Sequence, residues 1–110
     1  MKNMELWAEV TCELAHSVKS PIGVEVVHGH SYWVRMYVES DPSNPIPATE
    51  LKAWLQKLMR QIDHGMMNEH IPSGTMEEMA QWIAANMTLF KPTRIQIERK
   101  SLGLGVDYRP

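Results

Sequence analysis

Cysteine is nearly missing from this chain of 110 residues: Cys12 stands alone, so no disulfide can form within the chain. Such a chain suits a reducing compartment, and we expect a cytoplasmic protein. Long apolar runs are missing too, since no stretch approaches the ~20 residues that a bilayer-spanning helix needs. Glu9 and Glu13 interrupt the apolar residues near the start, which argues against a signal peptide. We therefore expect no membrane partner.

Clusters of lysine or arginine are also lacking, and the formal net charge is -2. Nucleic acids and anionic membranes attract proteins through basic patches, so neither is an expected partner. The remaining composition is ordinary for a globular protein, with 44% hydrophobic and 22% charged residues. The length predicts one domain over residues 1–110.

Alternating hydrophobicity predicts strands at both ends of the chain. The alternation is clear over residues 24–39, weaker over 5–10 and 93–99, and short over 106–109. The chain thus begins with two predicted strands and closes with two.

Helical spacing marks the middle of the chain. Residues 49–62 carry one apolar stripe, and Gly65 is a candidate for the left-handed residue that ends this helix. A second helix is predicted to open at Thr75, whose hydroxyl caps it while Glu78 reaches back, and to end before Pro92. The order predicts an α+β fold, a four-stranded antiparallel sheet with two helices on one face. Its open face and edges favour oligomerisation.

Two of the five histidines, His28 and His30, lie two residues apart on the clearest predicted strand. Strand geometry places both imidazoles on one face, about 6.5–7 Å apart along the backbone, where both can turn toward one zinc ion. His16, at the end of the first strand, is the natural third ligand. Three histidines with an open fourth position are typical of a catalytic zinc. The alternative is a pair of hydrogen-bonded sheet histidines without metal.

Several motifs extend this pattern along the chain. They are Cys12-Glu13-Leu14-Ala15-His16, His28-Gly29-His30-Ser31-Tyr32-Trp33-Val34, Ile62-Asp63-His64 and Pro72-Ser73-Gly74-Thr75-Met76-Glu77. Together they resemble, in the same order, the signatures of the 6-pyruvoyltetrahydropterin and 6-carboxytetrahydropterin synthase family. The resemblance implies the tunnelling fold, in which ββααββ units form a trimeric barrel and two trimers form a homohexamer.

The resemblance also implies Zn²⁺ as the cofactor and a pterin as the small-molecule substrate, bound between subunits beside the metal. The zinc ligands it implies are His16, His28 and His30. It further implies that Asp63 and His64 transfer protons, whereas ordinary capping of a helix end is the alternative reading of that pair.

One departure from the family lies just before the second strand. The synthases carry a cysteine four residues before the His-Gly-His motif, and this chain has Val24 there. Glu25 instead resembles a variant branch with Glu-x-x-His-Gly-His, which converts dihydroneopterin triphosphate to 6-hydroxymethyl-7,8-dihydropterin, a folate precursor. A carboxylate beside zinc can act as a general base. The alternative is an exposed strand-end residue, and a continuous strand would point Glu25 away from His28.

A second departure lies in the third predicted strand. The resemblance implies substrate binding by Thr75 and by Glu98, whose carboxylate would anchor the pterin edge. Alternation, however, places Arg99 rather than Glu98 on the face of the isoleucines, and an arginine cannot accept the hydrogen bonds that a pterin edge offers.

The leading hypothesis is therefore a zinc-dependent pterin lyase that acts on dihydroneopterin triphosphate. The alternatives are 6-pyruvoyl- or 6-carboxytetrahydropterin synthase activity and, in another class, a non-catalytic zinc- or ligand-binding member of the fold.

Overall fold

A computed structural model describes residues 4–20, 22–24 and 26–110. The strands are β1 (Glu5–His16), β2 (Lys19–Ser20), β3 (Gly23–Val24), β4 (His28–Glu39), β5 (Gly65–Met66), β6 (Pro92–Arg99) and β7 (Leu104–Tyr108). The helices are α1 (Ala48–Met59) and α2 (Met76–Asn86), with short 3-10 turns at Met67–Glu69 and Lys100–Leu102. In the part of the chain described, no helix is long and apolar enough to cross a membrane.

The main sheet has five strands in the order β5-β1-β4-β6-β7. The predicted α+β class is confirmed, but the predicted count of four strands is wrong. The four long strands pair antiparallel, and the two-residue β5 adds a parallel partner to β1 at Leu14 and Ala15. A strand of two residues has no periodicity to reveal it. β2 and β3 form a separate two-stranded ribbon.

The core lies between one face of the sheet and the two helices. Buried residues alternate along β1, β4 and β6, and α1 packs on β1 while α2 packs on β6 and β7. The largest fully buried side chains include Tyr32, Met36, Leu51, Leu55, Met67, Ile71, Met79, Ile83, Ile95 and Ile97. This helix-covered face is what we call the core face of the sheet.

The opposite face of the sheet carries polar and charged side chains. Arg35 pairs with Glu9 at 3.2 Å, and Arg94 pairs with Asp107 at 2.7 Å. Alternation dictates this division, because one residue of slip would bury these charges. We call this side the polar face.

Several predicted boundaries shift in the structure. Val26 and Val27 are exposed and lie outside β4, so the predicted strand 24–39 is interrupted before His28. α1 ends at Met59, earlier than predicted, and the left-handed residue that follows it is His64, with φ of 60°, rather than Gly65.

The N-terminus of α2 confirms half of the predicted capping arrangement. Thr75 is the N-cap, and its hydroxyl accepts a hydrogen bond from the Glu78 amide at 3.2 Å. The Glu78 carboxylate, however, accepts from the Ser73 amide at 2.8 Å. This hydrogen bond also links the turn before Thr75 to the helix. The helix ends at Asn86, well before Pro92.

Candidate metal centre and acid–base dyad

Three histidines meet at one end of the β1–β4 ladder, on the core face. His16 pairs directly with His28, and Leu14 pairs with His30, so the strand register alone brings the three rings together. Their ring centroids are 4.7, 4.8 and 4.9 Å apart, and one ligand nitrogen from each lies within 4.8 Å of the others. His16 is 1% exposed whereas His28 is exposed, so this histidine triad opens toward solvent on one side.

Backbone carbonyls fix the tautomers of two of these rings. Nδ1–H of His16 donates to the carbonyl of Gly74 at 2.7 Å, and Nδ1–H of His28 donates to the carbonyl of Val26 at 2.7 Å. Each bond leaves the lone pair on Nε2, and such outer hydrogen bonds are typical of metal-binding histidines. Zinc takes imidazole nitrogens at about 2.0–2.1 Å, so modest ring rotations would close the remaining gap. The donor set therefore fits a zinc ion.

The loop before α2 is tied tightly to the end of β1. Asn68 donates from Nδ2 to the carbonyls of Ser17 at 2.9 Å and Pro72 at 3.0 Å, and its Oδ1 accepts from the Ser17 amide at 3.0 Å. Gly74 has φ of +69°, and a Cβ at this position would lie only 2.4 Å from the Ser17 carbonyl oxygen. Glycine therefore permits the close approach that presents the Gly74 carbonyl to His16.

Asp63 and His64 form a second pair in the turn after α1. Oδ2 of Asp63 lies 3.0 Å from Nδ1 of His64, and the left-handed backbone of His64 brings these neighbours together. The turn docks on the edge of β1, where Asp63 Oδ1 accepts from the Glu13 amide and the His64 amide donates to the Glu13 carbonyl, both at 2.7 Å. The His64 side chain is 76% exposed, so its outer nitrogen can exchange protons with a ligand or with water.

A cavity of about 360 Å³ is lined by His30 of the triad and His64 of the pair. Glu13 and Ser31 also line it, and the Ser31 hydroxyl donates to Oε2 of Glu13 at 2.6 Å. No sequence pattern pointed to the Glu13 side chain, because its place beside His64 comes from the docking of the turn on β1. No local pattern shows that docking.

The other predicted site residues do not all lie beside the histidine triad. Glu25 lies outside the described residues. Thr75 follows Gly74 and so lies beside the triad's supporting loop. Glu98 pairs with Trp33 without a bulge and points to the polar face, whereas Arg99 points to the core face. Within one chain, the structure thus separates Glu98 from the triad.

Tyr32 lies behind the triad on β4. Its ring centroid is 6.0 Å from that of His30 and 6.3 Å from that of His16, and Cζ of Arg99 is 5.3 Å from the same ring. Burial raises the pKa of the Tyr32 phenol, and the neighbouring Arg99 cation opposes that rise. One aromatic ring therefore separates this cation from the histidines.

Cys12 is a core residue. It is 2% exposed, and burial, followed by the charges of Asp63 and Glu13, raises the pKa of its thiol to about 12. A thiol that stays protonated is a poor nucleophile and a poor proton donor at neutral pH. Cys12 therefore does not replace the cysteine missing at position 24.

The fold and site define a class: a small α+β protein in which three histidines from two paired strands lie close enough together to hold one metal ion. A sequence model of the 6-pyruvoyl tetrahydropterin synthase family matches residues 5–101. The chain belongs to that family.

Two relatives illustrate the likeness. The chain is 26% identical over 98 residues to a dihydroneopterin monophosphate aldolase of Pyrococcus furiosus, covering 87% of this chain and 85% of the relative. The fold matches the structure of Caenorhabditis elegans 6-pyruvoyl tetrahydropterin synthase with a TM-score of 0.76 at 15% identity, covering 97% of this chain and 95% of the other.

Proposed function

We propose that this chain is a zinc-dependent pterin lyase that converts 7,8-dihydroneopterin triphosphate to 6-hydroxymethyl-7,8-dihydropterin. The observation that carries the proposal is the histidine triad, with two of its rings held in the metal-binding tautomer, and with its third ring, His30, lining one cavity together with His64. The family membership supports the pterin chemistry.

His16, His28 and His30 would hold the ion. Bound zinc supplies a Lewis acid that polarises the hydroxyl groups of the substrate side chain and stabilises negative charge on oxygen. The side chain carries hydroxyls on its first two carbons, and cleavage of the bond between those carbons is a retro-aldol reaction. A base takes the proton of the second hydroxyl, that carbon becomes an aldehyde, and an acid returns a proton to the first carbon.

Glu25 is the proposed base, and His64 is the proposed acid. Oδ2 of Asp63, 3.0 Å from Nδ1 of His64, would orient the ring, which leaves Nε2 to deliver the proton. The products are the hydroxymethyl pterin and a two-carbon aldehyde that keeps the phosphate, so no oxidant or second substrate is needed.

The phosphate state of the substrate is the first point to test. The Pyrococcus furiosus relative is named for a monophosphate, whereas the Glu-x-x-His-Gly-His pattern favours the triphosphate. Both compounds carry the same reacting carbons, and the proposed chemistry is the same for either.

We further propose a homohexamer, a dimer of trimers, with sites between subunits. Most of β1 beyond β5 and the outer side of β7 are sheet edges among the described residues, and the polar face carries no helix there. Open edges of this length favour pairing with other copies. Light scattering on the purified protein tests this assembly.

The synthase activities remain the alternative within the class, since this chain lacks the family's cysteine but keeps the histidines. A non-catalytic zinc-binding role is favoured only by the strand register, which places Arg99, and not the proposed pterin anchor Glu98, on the core face. It predicts bound metal without turnover.

Product analysis separates these possibilities. Zinc-loaded protein is incubated under reducing, oxygen-free conditions with dihydroneopterin monophosphate or triphosphate, and the pterins are identified by mass spectrometry. We expect 6-hydroxymethyl-7,8-dihydropterin. A 6-pyruvoyl or 6-carboxy product would establish synthase activity, and no turnover of either compound would contradict the enzyme proposal.

A further inference from the structure

Arg99 occupies an unusual position for a cation. It is the last residue of β6, it is partly buried, and it points to the core face together with Ile95 and Ile97. The other arginines of β4 and β6, Arg35 and Arg94, point to the polar face. Arg99 is thus the arginine on these strands that shares a face with the triad.

The charge partners of these arginines differ as well. Arg35 pairs with Glu9, and Arg94 pairs with Asp107. Among the residues that the structure describes, Arg99 has no carboxylate within ion-pair distance, and its buried Nε makes no hydrogen bond. Its guanidinium contacts the ring and the phenol of Tyr32, a neutral group that brings no compensating charge. A partly buried guanidinium costs free energy unless an acceptor compensates it.

The chemistry of the missing partner follows from that of the guanidinium. Arginine offers only donors, in a planar fork that matches the oxygens of a phosphate or carboxylate. Lys100, the next residue, cannot bind an anion at the same place, because its ammonium lies 3.7 Å from Glu9 on the polar face. Since no carboxylate among the described residues serves this guanidinium, an anion that binds it would come from a ligand.

The structure of the proposed substrate would bring its phosphate toward Arg99. If the triad's metal holds the first two hydroxyls of the side chain, the phosphate is attached to the next carbon, only a few bonds away. Arg99 lies one aromatic ring from the triad, since Tyr32 is close to His16, His30 and the guanidinium alike. The arginine side chain is long enough to reach across about one aromatic ring toward the triad.

We propose that Arg99 binds the phosphate of the substrate and makes the enzyme select phosphorylated over unphosphorylated pterins. This inference rests on the proposed function for the identity of the substrate, but anion binding by Arg99 can be measured without turnover. It also gives a role to a residue that cannot anchor the pterin edge.

The test compares Arg99→Gln, Arg99→Lys and Arg94→Gln with the unchanged protein. Arg94→Gln is the matched control, since it removes a cation from the same strand on the polar face. Arg99→Lys keeps the charge but loses the planar fork, and it guards against a folding defect in Arg99→Gln. Zinc content and thermal unfolding are measured for each variant.

Binding of inorganic tripolyphosphate is measured by calorimetry on zinc-loaded and zinc-free protein. We expect Arg99→Gln to weaken it on the order of 10- to 100-fold in both forms, Arg99→Lys to weaken it less, and Arg94→Gln to leave it unchanged. No measurable binding to the unchanged protein, or equal binding by Arg99→Gln, would overturn the proposal whether or not the protein proves to be an enzyme.

Turnover supplies the second arm. The ratio of kcat/KM for dihydroneopterin triphosphate to that for unphosphorylated dihydroneopterin should fall on the order of 10- to 100-fold in Arg99→Gln, mainly through KM. An equal loss on both substrates would show that Arg99 contacts another part of the molecule and would contradict the phosphate role. Absence of turnover by the unchanged protein would contradict the proposed function alone.

Discussion

The histidine triad and the Asp63–His64 pair each contribute one side chain, His30 and His64, to the same cavity, but they are built in opposite ways. The triad lies on two long paired strands, and His16 is buried with its ring fixed by a backbone carbonyl. The pair lies in a turn, has a left-handed residue, and is held to the sheet by two hydrogen bonds to Glu13. A metal site needs several ligands at fixed positions, whereas a proton donor needs one exposed nitrogen with a poised orientation. The fixed ligands therefore lie on the paired strands, and the solvent-accessible proton donor lies in the turn.

The strongest test of the difference removes a metal ligand. We expect His28→Ala to lower zinc affinity more than about 100-fold, since even outer partners of such ligands contribute 10- to 100-fold, and to abolish turnover. His70→Ala is the control, because His70 is exposed and lies beside Trp82 at 6.1 Å between ring centroids. Unchanged zinc binding by His28→Ala would show that the triad is not the metal site.

Changes in the pair should affect catalysis alone. We expect His64→Asn to lower kcat by about 10²–10⁴-fold with full zinc content, because a general acid is lost and asparagine tolerates the left-handed backbone. Asp63→Asn can still accept from the Glu13 amide but loses the carboxylate that lies 3.0 Å from Nδ1 of His64. The double variant should resemble His64→Asn alone, since residues that act as a unit are not additive. Additive losses would mean that the two residues act separately.

The contacts that orient the triad can be weakened without changing any of its three histidines. We expect Gly74→Ala to lower zinc affinity by about 10- to 100-fold, because the new Cβ would meet the Ser17 carbonyl oxygen at 2.4 Å and displace the carbonyl that orients His16. Gly103→Ala is the matched control, with φ of +67° and open space around it. Both variants should lose stability, but a loss of zinc affinity in Gly103→Ala would refute this explanation.

The smallest expected effect is the pH dependence of stability that comes from Cys12, whose buried thiol feels the charge of Asp63. The pKa of its thiol is raised from 9.0 to about 12, so both folded and unfolded chains hold the proton below pH 9. Above pH 9 only the unfolded chain loses it, and stability therefore falls by up to about 1.4 kcal/mol per pH unit as the pH approaches about 12.

Urea unfolding of the unchanged protein and Cys12→Ala measures this effect at pH 7 and near pH 10.5. The unchanged protein should lose about 2 kcal/mol more than the variant between the two conditions. An equal loss in both proteins would show that the thiol titrates normally in the folded state.

The same contrast explains what the sequence could predict. The shared face of His28 and His30 followed from strand alternation, because a period of two places them together regardless of the rest of the fold, whereas His16 was added as a candidate at the end of the first strand. Adjacency of Asp63 and His64 was evident, but the left-handed backbone was expected at Gly65, since glycine is the residue that usually adopts it.

Tertiary features had no local signal. The carbonyl of Gly74 that orients His16 belongs to a residue 58 positions away, and any residue type offers a carbonyl. The two-residue β5 and the placement of Glu13 beside His64 likewise depend on how the turn docks on β1. Patterns along the chain identify which side chains can do chemistry, but the supports of those side chains come from packing.

The most direct test of the account is a zinc titration of activity. Metal-free protein receives increasing zinc, and formation of 6-hydroxymethyl-7,8-dihydropterin from dihydroneopterin triphosphate is followed at each step. The account predicts that activity is absent without metal, rises linearly, and stops rising at one zinc per chain. Activity that does not depend on zinc, or that is absent at full occupancy with either phosphorylated substrate, would contradict it.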